Sequence, residues 1–505
     1  YSIIIIKLNT NMIKINILLI SIHGLIRQDN LELGRDADTG GQTKYVVELA
    51  RALGKRPEVS KVHLLTRLID DQDVSKDYSR PLEKISDNVS IIRIPCGEPG
   101  YIPKEQLWDS LDNFFDNALD WLSTQEHLPD IIHSHYADAG QVGTRLSHHF
   151  GIPLIHTGHS LGRNKRMSLL SSGLKMSEIE LKYNISRRIE AEEETLGAAE
   201  MIITSTQQEI EEQYSVYDFY QPDFMRVVPP GTDLEKFTPP DGSEYQQPIY
   251  DQLCHFFRHK EKPIILALSR PDPRKNIISL IEAYGESKEL QELANLVIVA
   301  GNRDDINDLD DGSREVLKEI ILAIDQYDLY GKVAYPKHHT AMEVPLFYRI
   351  TAKSKGVFVN PALTEPFGLT LIEAAASGLP IVATEDGGPK DIINNCHNGY
   401  LIDPLDMQDI TKKLIQILKE NNKWSLLANN GLTGVKKYYS WEAHAEKYIQ
   451  ILKPIIENTE PMTRMCLSRR PMLYHDRAIV TDLDQNLLGD QESLLRLVKL
   501  IQSNR

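Results

Sequence analysis

Cysteine is scarce in this sequence, and the four present, Cys96, Cys254, Cys396 and Cys466, are scattered. They form no Cys-x-x-Cys pair and no histidine cluster stands beside them, which argues against a disulfide framework or a zinc site. The cytoplasm, a reducing compartment, is therefore the expected setting. Long apolar runs are also missing: residues 3–6 are too few to span a bilayer and no small-residue cleavage site follows them. Met12 is the expected start, with the preceding residues upstream of it. Basic residues are outnumbered, 56 against 72 acidic, for a net charge of −16. That balance argues against nucleic acid or an anionic membrane as the main partner. An anionic ligand would have to be met by basic side chains gathered locally.

What is present reads as an ordinary globular protein of 505 residues, 41% hydrophobic and 25% charged, too long for one hydrophobic core. Residues 13–22 form a nearly continuous apolar run, as a buried parallel strand would. A loop rich in Gly, Asp and Arg follows, then a helical pattern over 42–53. Short apolar runs recur at 62–65, 91–94, 131–133, 154–156 and 201–204. Helical patterns separate them, such as the stripe Leu107, Leu111, Phe115 and Leu122. Around 237–247 the chain turns polar and carries Pro239, Pro240, Asp241 and Gly242, which reads as a linker. Strand-like runs then resume at 264–268, 296–300, 333–335, 357–359, 381–384 and 400–402. Residues 441–452 read as a closing helix and 478–481 as a further strand. The alternation predicts an α/β protein of two doubly wound, Rossmann-like domains, over 12–237 and 238–458, with 459–505 a separate start. Ligands of such sheets sit at the carboxyl ends of the strands, which places one cleft between the domains.

Three stretches carry chemistry. The first is Asp38-Thr39-Gly40-Gly41-Gln42, between the first strand and helix. Gly40 and Gly41 let a ligand approach the backbone, and the helix start favours an anion. It is not a full dinucleotide fingerprint, so an NAD enzyme is disfavoured. The second is Ser269-Arg270-Pro271-Asp272-Pro273-Arg274-Lys275, after a strand of the second half. There Arg270 and Lys275 could clamp a diphosphate, or belong to a solvated basic loop. The third runs from Asn360 to Ala374: a strand ends, a loop carries Glu365, and a helix begins near Phe367 and Gly368. The N–H groups of Gly368, Leu369 and Thr370 offer a second phosphate site. Glu373, eight residues beyond Glu365, would lie on the order of 12 Å away along a helix, too far for a glycosidase pair at ~5–9.5 Å. The two carboxylates therefore serve different parts of one ligand. Otherwise Glu365 is a helix N-terminal charge and Glu373 a surface residue.

At these stretches the chain resembles the retaining family 4 glycosyltransferases of the GT-B fold, and among them the sucrose-phosphate synthases. The likeness covers about residues 14 to 455. His23-Gly24-Leu25-Ile26-Arg27, Gly158-His159-Ser160-Leu161-Gly162 and Tyr330-Gly331-Lys332-Val333-Ala334-Tyr335-Pro336-Lys337-His338-His339 carry its specific part. The resemblance implies transfer of glucose from UDP-glucose to fructose 6-phosphate with retention of configuration. It casts His159, Arg270, Lys275 and Glu365 as catalytic, and Gly40, Gly41, Gly368, Leu369, Thr370 and Glu373 as donor-binding. Acceptor-binding would fall to Gln42, Lys104, Tyr136, Ser160, Lys165, Arg187 and Arg188, the local basic cluster that an anionic ligand demands. No metal site and no cofactor are implied for transfer, with Mg2+ at most stimulatory. The alternatives are a sucrose synthase using free fructose and a non-catalytic nucleotide-sugar-binding protein.

The stretch from Arg477 to Asp490 resembles the first motif of haloacid-dehalogenase-type phosphatases. Asp482 and Asp484 are spaced as nucleophile and acid/base, although Asn486 stands where that family has Thr. The later motifs do not follow, so no phosphatase activity is expected of the chain itself, and a separate sucrose-phosphatase is the implied partner.

Overall fold

In the computed structural model the described residues are 14–458, apart from 33, 34 and 37. The expected phosphatase-like start over 459–505, and the residues before Met12, lie outside them. Two sheets account for the strand-like runs. The first contains β1 (Ile15–Ile20), β2 (Val59–Arg67), β3 (Leu82–Ser86), β4 (Val89–Ile94), β5 (Ile131–His135), β6 (Leu154–Thr157), β7 (Met201–Thr204) and β8 (Met225–Val227). Their spatial order is β3-β4-β2-β1-β5-β6-β7-β8. All neighbours are parallel except β3, which runs antiparallel to β4 at the edge. The second sheet is wholly parallel: β9 (Ile264–Ser269), β10 (Asn295–Ala300), β11 (Val333–Ala334), β12 (Val357–Asn360), β13 (Ile381–Thr384) and β14 (Gly399–Ile402). Its order is β11-β10-β9-β12-β13-β14.

Continuous apolar runs are required because helices cover both faces of each sheet. Along β1, Ile15, Ile17 and Leu19 enter one core cluster while Leu18 and Ile20 enter the cluster on the other face. In β9, Ile264 and Leu266 face one core, Ile265 and Ala267 the other. A half-solvated sheet would need polar residues at every second position.

The helices that position the site are α1 (Gly41–Gly54), α2 (Ala137–Phe150), α3 (Gly162–Ser171), α4 (Ile185–Ala198), α5 (Leu369–Ala376) and α6 (Trp441–Asn458). The last corrects a boundary drawn by chain position. Read with the second domain, α6 instead buries Ala445, Tyr448, Ile449 and Leu452 in the first domain's core, beside Ile15, Ile17 and Val46. The chain crosses back where the Thr232 N–H donates to the Tyr439 carbonyl at 2.8 Å. Gly231 permits that approach, since a β-carbon there would strike the Trp441 backbone. Phe237, drawn as the last residue of the first domain, packs in the second domain's core with Ile249, Leu253 and Tyr348.

Candidate active site

Every candidate residue of the first domain sits on a segment leaving the carboxyl end of a strand or on the helix beyond it. After β1 the loop delivers Gly40 as the cap of α1, with no side chain capping that helix start. Gln42, in its first turn, donates from Nε2 to Ser21 Oγ at 3.2 Å and to the His135 carbonyl at 3.4 Å. After β5 comes Tyr136, at φ 77°, and after β6 comes His159, at φ 57°. Positive φ is uncommon outside glycine, and more so for Tyr than for His, which visits the left-handed region more readily. Strain of order 1–3 kcal/mol at each must be held by the surroundings, as is common at functional sites.

The acceptor candidates gather here, each cation with a carboxylate of its own. Lys104 Nζ is bonded to Asp38 Oδ1, and the Lys104 N–H donates to Asp38 Oδ2 at 2.9 Å. Burial raises the Asp38 pKa, but the Lys104 bonds and charge outweigh it and hold the carboxyl below its usual range. Lys165 lies 3.7 Å from Glu105, which is equally distant from Lys104. Burial, and then the Arg188 charge, depress the Lys165 pKa. Arg188, buried on α4, donates from Nε to Glu192 at 2.9 Å and from a terminal nitrogen to the Ser160 carbonyl at 2.6 Å. Its guanidinium lies 4.4 Å from the centre of the Tyr136 ring. Lys104, Tyr136, Ser160, Lys165 and Arg188 are thus one cluster. Arg187 turns aside to Asp109 at 2.5 Å and the Trp108 carbonyl at 3.0 Å. The cluster of free positive charge expected from the sequence is in fact compensated, and a phosphate would have to compete with those carboxylates.

Sequence reasoning singled out His159 but missed His135 and the contacts that gather the histidines beneath the cluster. His135 Nδ1 and His159 Nε2 are 3.0 Å apart, and Tyr45 lies edge-on to His159 at 5.0 Å. His23 Nδ1 bonds Asp138 at 2.7 Å, and its ring meets Tyr136 edge-on at 4.6 Å. Burial, aided by His156 and His23, pushes the His159 pKa down to about 3, so its ring is neutral at pH 7. His135 ends β5 and His159 follows β6, and only the pairing of those strands side by side brings the two rings together.

In the second domain β9 ends in a tight turn over Pro273–Lys275, capped by Asp272, which accepts from the Arg274 N–H at 3.0 Å. Arg270 is exposed and pairs with no carboxylate among the described residues. Lys275 Nζ lies 2.7 Å from Glu365 Oε2, which also accepts from Asn360 Nδ2 at 3.0 Å. Glu365 is therefore held by a cation and an amide rather than serving as a helix N-terminal charge. Gly368, at φ 99°, caps α5 without a side-chain partner, leaving the N–H groups of the first turn available to an anion. Glu373, on that helix, accepts from the Tyr348 hydroxyl at 3.2 Å. Burial lifts its pKa to about 7, against the opposing charge of Lys44 and the Tyr348 bond. Glu373 is thus no free surface carboxylate, and Lys44 reaches it electrostatically from α1 of the other domain.

These two faces meet directly. The Gln207 N–H donates to Asp391 at 3.3 Å, and Gln208 Nε2 to Asp386 at 3.0 Å, from the loop after β7 to the segment after β13. Residues 7–240 match the family described as the sucrose synthase first GT-B domain, and residues 255–433 match the glycosyl transferases group 1. End to end, the two matches and the two sheets give the chain the GT-B glycosyltransferase fold. The chain is 44% identical over 516 residues to sucrose-phosphate synthase 4 of Arabidopsis thaliana, covering 90% of this chain and 49% of that one. It is also 44% identical over 501 residues to the sucrose-phosphate synthase of Zea mays, covering 86% and 47% respectively. The chain spans about half the length of the curated relatives it matches. Among solved structures, the sucrose-phosphate synthase of Thermosynechococcus elongatus superposes with TM-score 0.63 at 26% identity, over 88% of this chain and all of that one. Anabaena HepE in complex with UDP shares the fold, at TM-score 0.59 and 15% identity, over 87% of this chain and all of that one. This GT-B chain has no helix, among the described residues, long and apolar enough to cross a membrane. Nor do the described residues arrange three or more His, Cys, Asp or Glu side chains to hold a metal.

Proposed function

We propose that this chain transfers glucose from UDP-glucose to fructose 6-phosphate with retention, giving sucrose 6-phosphate and UDP. The bond from the glucose anomeric carbon to UDP breaks, and a bond from that carbon to the acceptor hydroxyl oxygen forms. The hydroxyl proton passes to the departing phosphate oxygen, on the same face of the sugar. Arg270 and Lys275 neutralise the charge that develops on UDP, as preorganised cations do most effectively away from bulk water. Glu365 and His159 contact the transferred glucose, Glu373 the ribose, and Gly40, Gly41 and the first turn of α5, at Gly368, Leu369 and Thr370, the donor phosphates. Gln42 lies between donor and acceptor, and Arg187 at the rim of the acceptor site. Transfer requires no resident cofactor in this reading, with Mg2+ at most a stimulant. A separate sucrose-phosphatase in the same cytoplasm removes the product's phosphate.

The observation that carries the choice of acceptor is the cluster of Lys104, Lys165 and Arg188 around Ser160 and Tyr136, in a chain of net charge −16. Three cations beside the Ser160 and Tyr136 side chains suit a phosphate ester better than a free sugar. The test is UDP release from UDP-glucose with fructose 6-phosphate, with free fructose and with no acceptor. Release only with the phosphate ester is expected. Equal use of free fructose would favour a sucrose synthase, and UDP binding without turnover a non-catalytic protein. Lys165→Ala should raise the KM for fructose 6-phosphate at least tenfold, a change of about 1.4 kcal/mol, with the affinity for UDP unchanged. A KM within twofold of wild type would remove Lys165 from the acceptor site.

A further inference from the structure

We propose that Gln208 and Asp386 are positioning residues, tying the Glu365 segment of the second domain to the first. The proposal rests on the transfer reading above, since it is Glu365 that they hold in place. Asp386 is gripped from both sides: Oδ1 accepts from Gln208 Nε2 at 3.0 Å and Oδ2 from Thr364 Oγ1 at 2.9 Å. Its main chain is bound to the same segment. The Glu365 N–H donates to the Asp386 carbonyl at 3.1 Å, and the Gly388 N–H to the Glu365 carbonyl at 3.0 Å. Gly387 lies between these bonds at φ +105°, where a β-carbon would collide with the Glu365 carbonyl. Only glycine allows two backbones to lie this close.

On the other side of the tie, the Gln208 amide also donates to Glu212 at 2.7 Å, so its orientation is fixed from its own segment. The Gln207 N–H bond to Asp391 lies alongside. A shift of the segment after β7 is therefore passed through one carboxylate to Thr364 and Glu365, while Lys275 holds the Glu365 side chain from within the second domain. Catalytic groups must be held to within about 0.5 Å of their working position. The tie sets that position relative to the first domain, where the acceptor cluster lies.

Exchanging the roles of the two side chains tests this. Gln208→Glu sets its carboxylate against those of Asp386 and Glu212 and should lower kcat for UDP release with fructose 6-phosphate at least tenfold, the equivalent of about 1.4 kcal/mol. The Kd for UDP, measured calorimetrically without acceptor, should stay within threefold, because Arg270, Lys275 and Glu373 are untouched. Adding Glu212→Gln alone should leave kcat low, whereas adding Asp386→Asn as well supplies the amide across the tie and should restore kcat to within threefold of wild type. A wild-type kcat in Gln208→Glu, or a loss that the triple variant does not recover, overturns the proposal. The interdomain distance provides a readout independent of turnover. Spin labels at Glu126 and Lys260, both exposed, should move apart in Gln208→Glu and return in the triple variant. If no acceptor is turned over but the distances follow this pattern, the transfer reading fails and the tie stands. Distances unchanged in all variants refute the tie itself.

Discussion

Arg270→Ala and Lys275→Ala are each expected to lower turnover roughly 100- to 1000-fold, a loss of about 2.7–4 kcal/mol of transition-state stabilisation. In the proposed transfer, departure of UDP would place negative charge on the diphosphate, and Arg270 and Lys275, on the segment and turn after β9, would neutralise it. Asp272 holds that turn rigid by accepting from the Arg274 N–H and side chain. The two variants should differ in everything but rate. Arg270 is exposed and pairs with no carboxylate among the described residues, so its removal should leave the thermal midpoint unchanged. Lys275 is the counterion of Glu365, and its removal leaves that carboxylate with Asn360 alone. A modest fall in midpoint should accompany the loss of rate. Steady-state UDP release and thermal unfolding of both variants check this, and near-normal turnover in both would dissolve the diphosphate site.

Acidification from pH 7 to pH 5 is expected to cost the fold several kcal/mol, through histidines that are buried uncharged. Burial lowers His156 and His444 to about 4 and His159 to about 3, and holds His133 and His135 well below the usual imidazole range. A histidine whose folded pKa is depressed stays neutral in the native state, while its unfolded counterpart gains a proton as the pH falls below about 6.5. Each such group therefore withdraws up to about 2 kcal/mol by pH 5. Carboxyls raised by burial act in the opposite sense: Glu48 and Glu192 above their usual range, and Glu209 and Glu373 to about 7. The native state takes up their protons first and is relieved as the pH falls from 7 toward 4.5. The five histidines, joined by His63 at about 4, outweigh these four carboxyls, and stability should decline with pH across this window. Urea midpoints at pH 7 and pH 5 measure the decline. His444, whose Nδ1 lies 2.7 Å from the Pro229 carbonyl, supplies the control: His444→Asn should flatten the dependence by about one proton's worth. A midpoint that holds or rises at pH 5 would show that the histidines are charged in the folded protein.

The two parallel sheets were legible because strands covered on both faces leave unbroken apolar runs, as in β1, β10 and β12. Two strands of the first sheet were not. β3 reads Leu-Glu-Lys-Ile-Ser, with alternate residues exposed, because an edge strand has one solvated flank and no need for a continuous run. β8 spans three residues, too few for any period to register. The placement of Arg270 and Lys275 just after β9, and of Glu365 and Gly368 between β12 and α5, could be read locally, since each pair follows the end of a single strand. Their neighbours could not. Asp38 meets Lys104 across 66 positions and Gln208 meets Asp386 across 178, and nothing in either local stretch announces its partner. The compensated state of the acceptor cations escaped for the same reason: Asp38 and Glu105 look like surface acids until the fold brings them to those lysines. The direction of α6 was hidden too, because an amphipathic helix shows that it has a core to cover but not whose.

That helix bears on how the protein is made. The core of the first sheet is completed by Ala445, Tyr448, Ile449 and Leu452, which leave the ribosome only after the whole second sheet has been synthesised. The second domain's chain is continuous from Phe237 to Tyr439 and can close its core without waiting. The first domain, though its strands emerge earlier, must pause with the face around Ile15, Ile17 and Val46 uncovered. At ~5–20 residues per second that interval lasts on the order of ten seconds or more. During synthesis the order of completion is thus the reverse of the order of translation, and the nascent first domain is the stage at which chaperones would find an apolar face to hold.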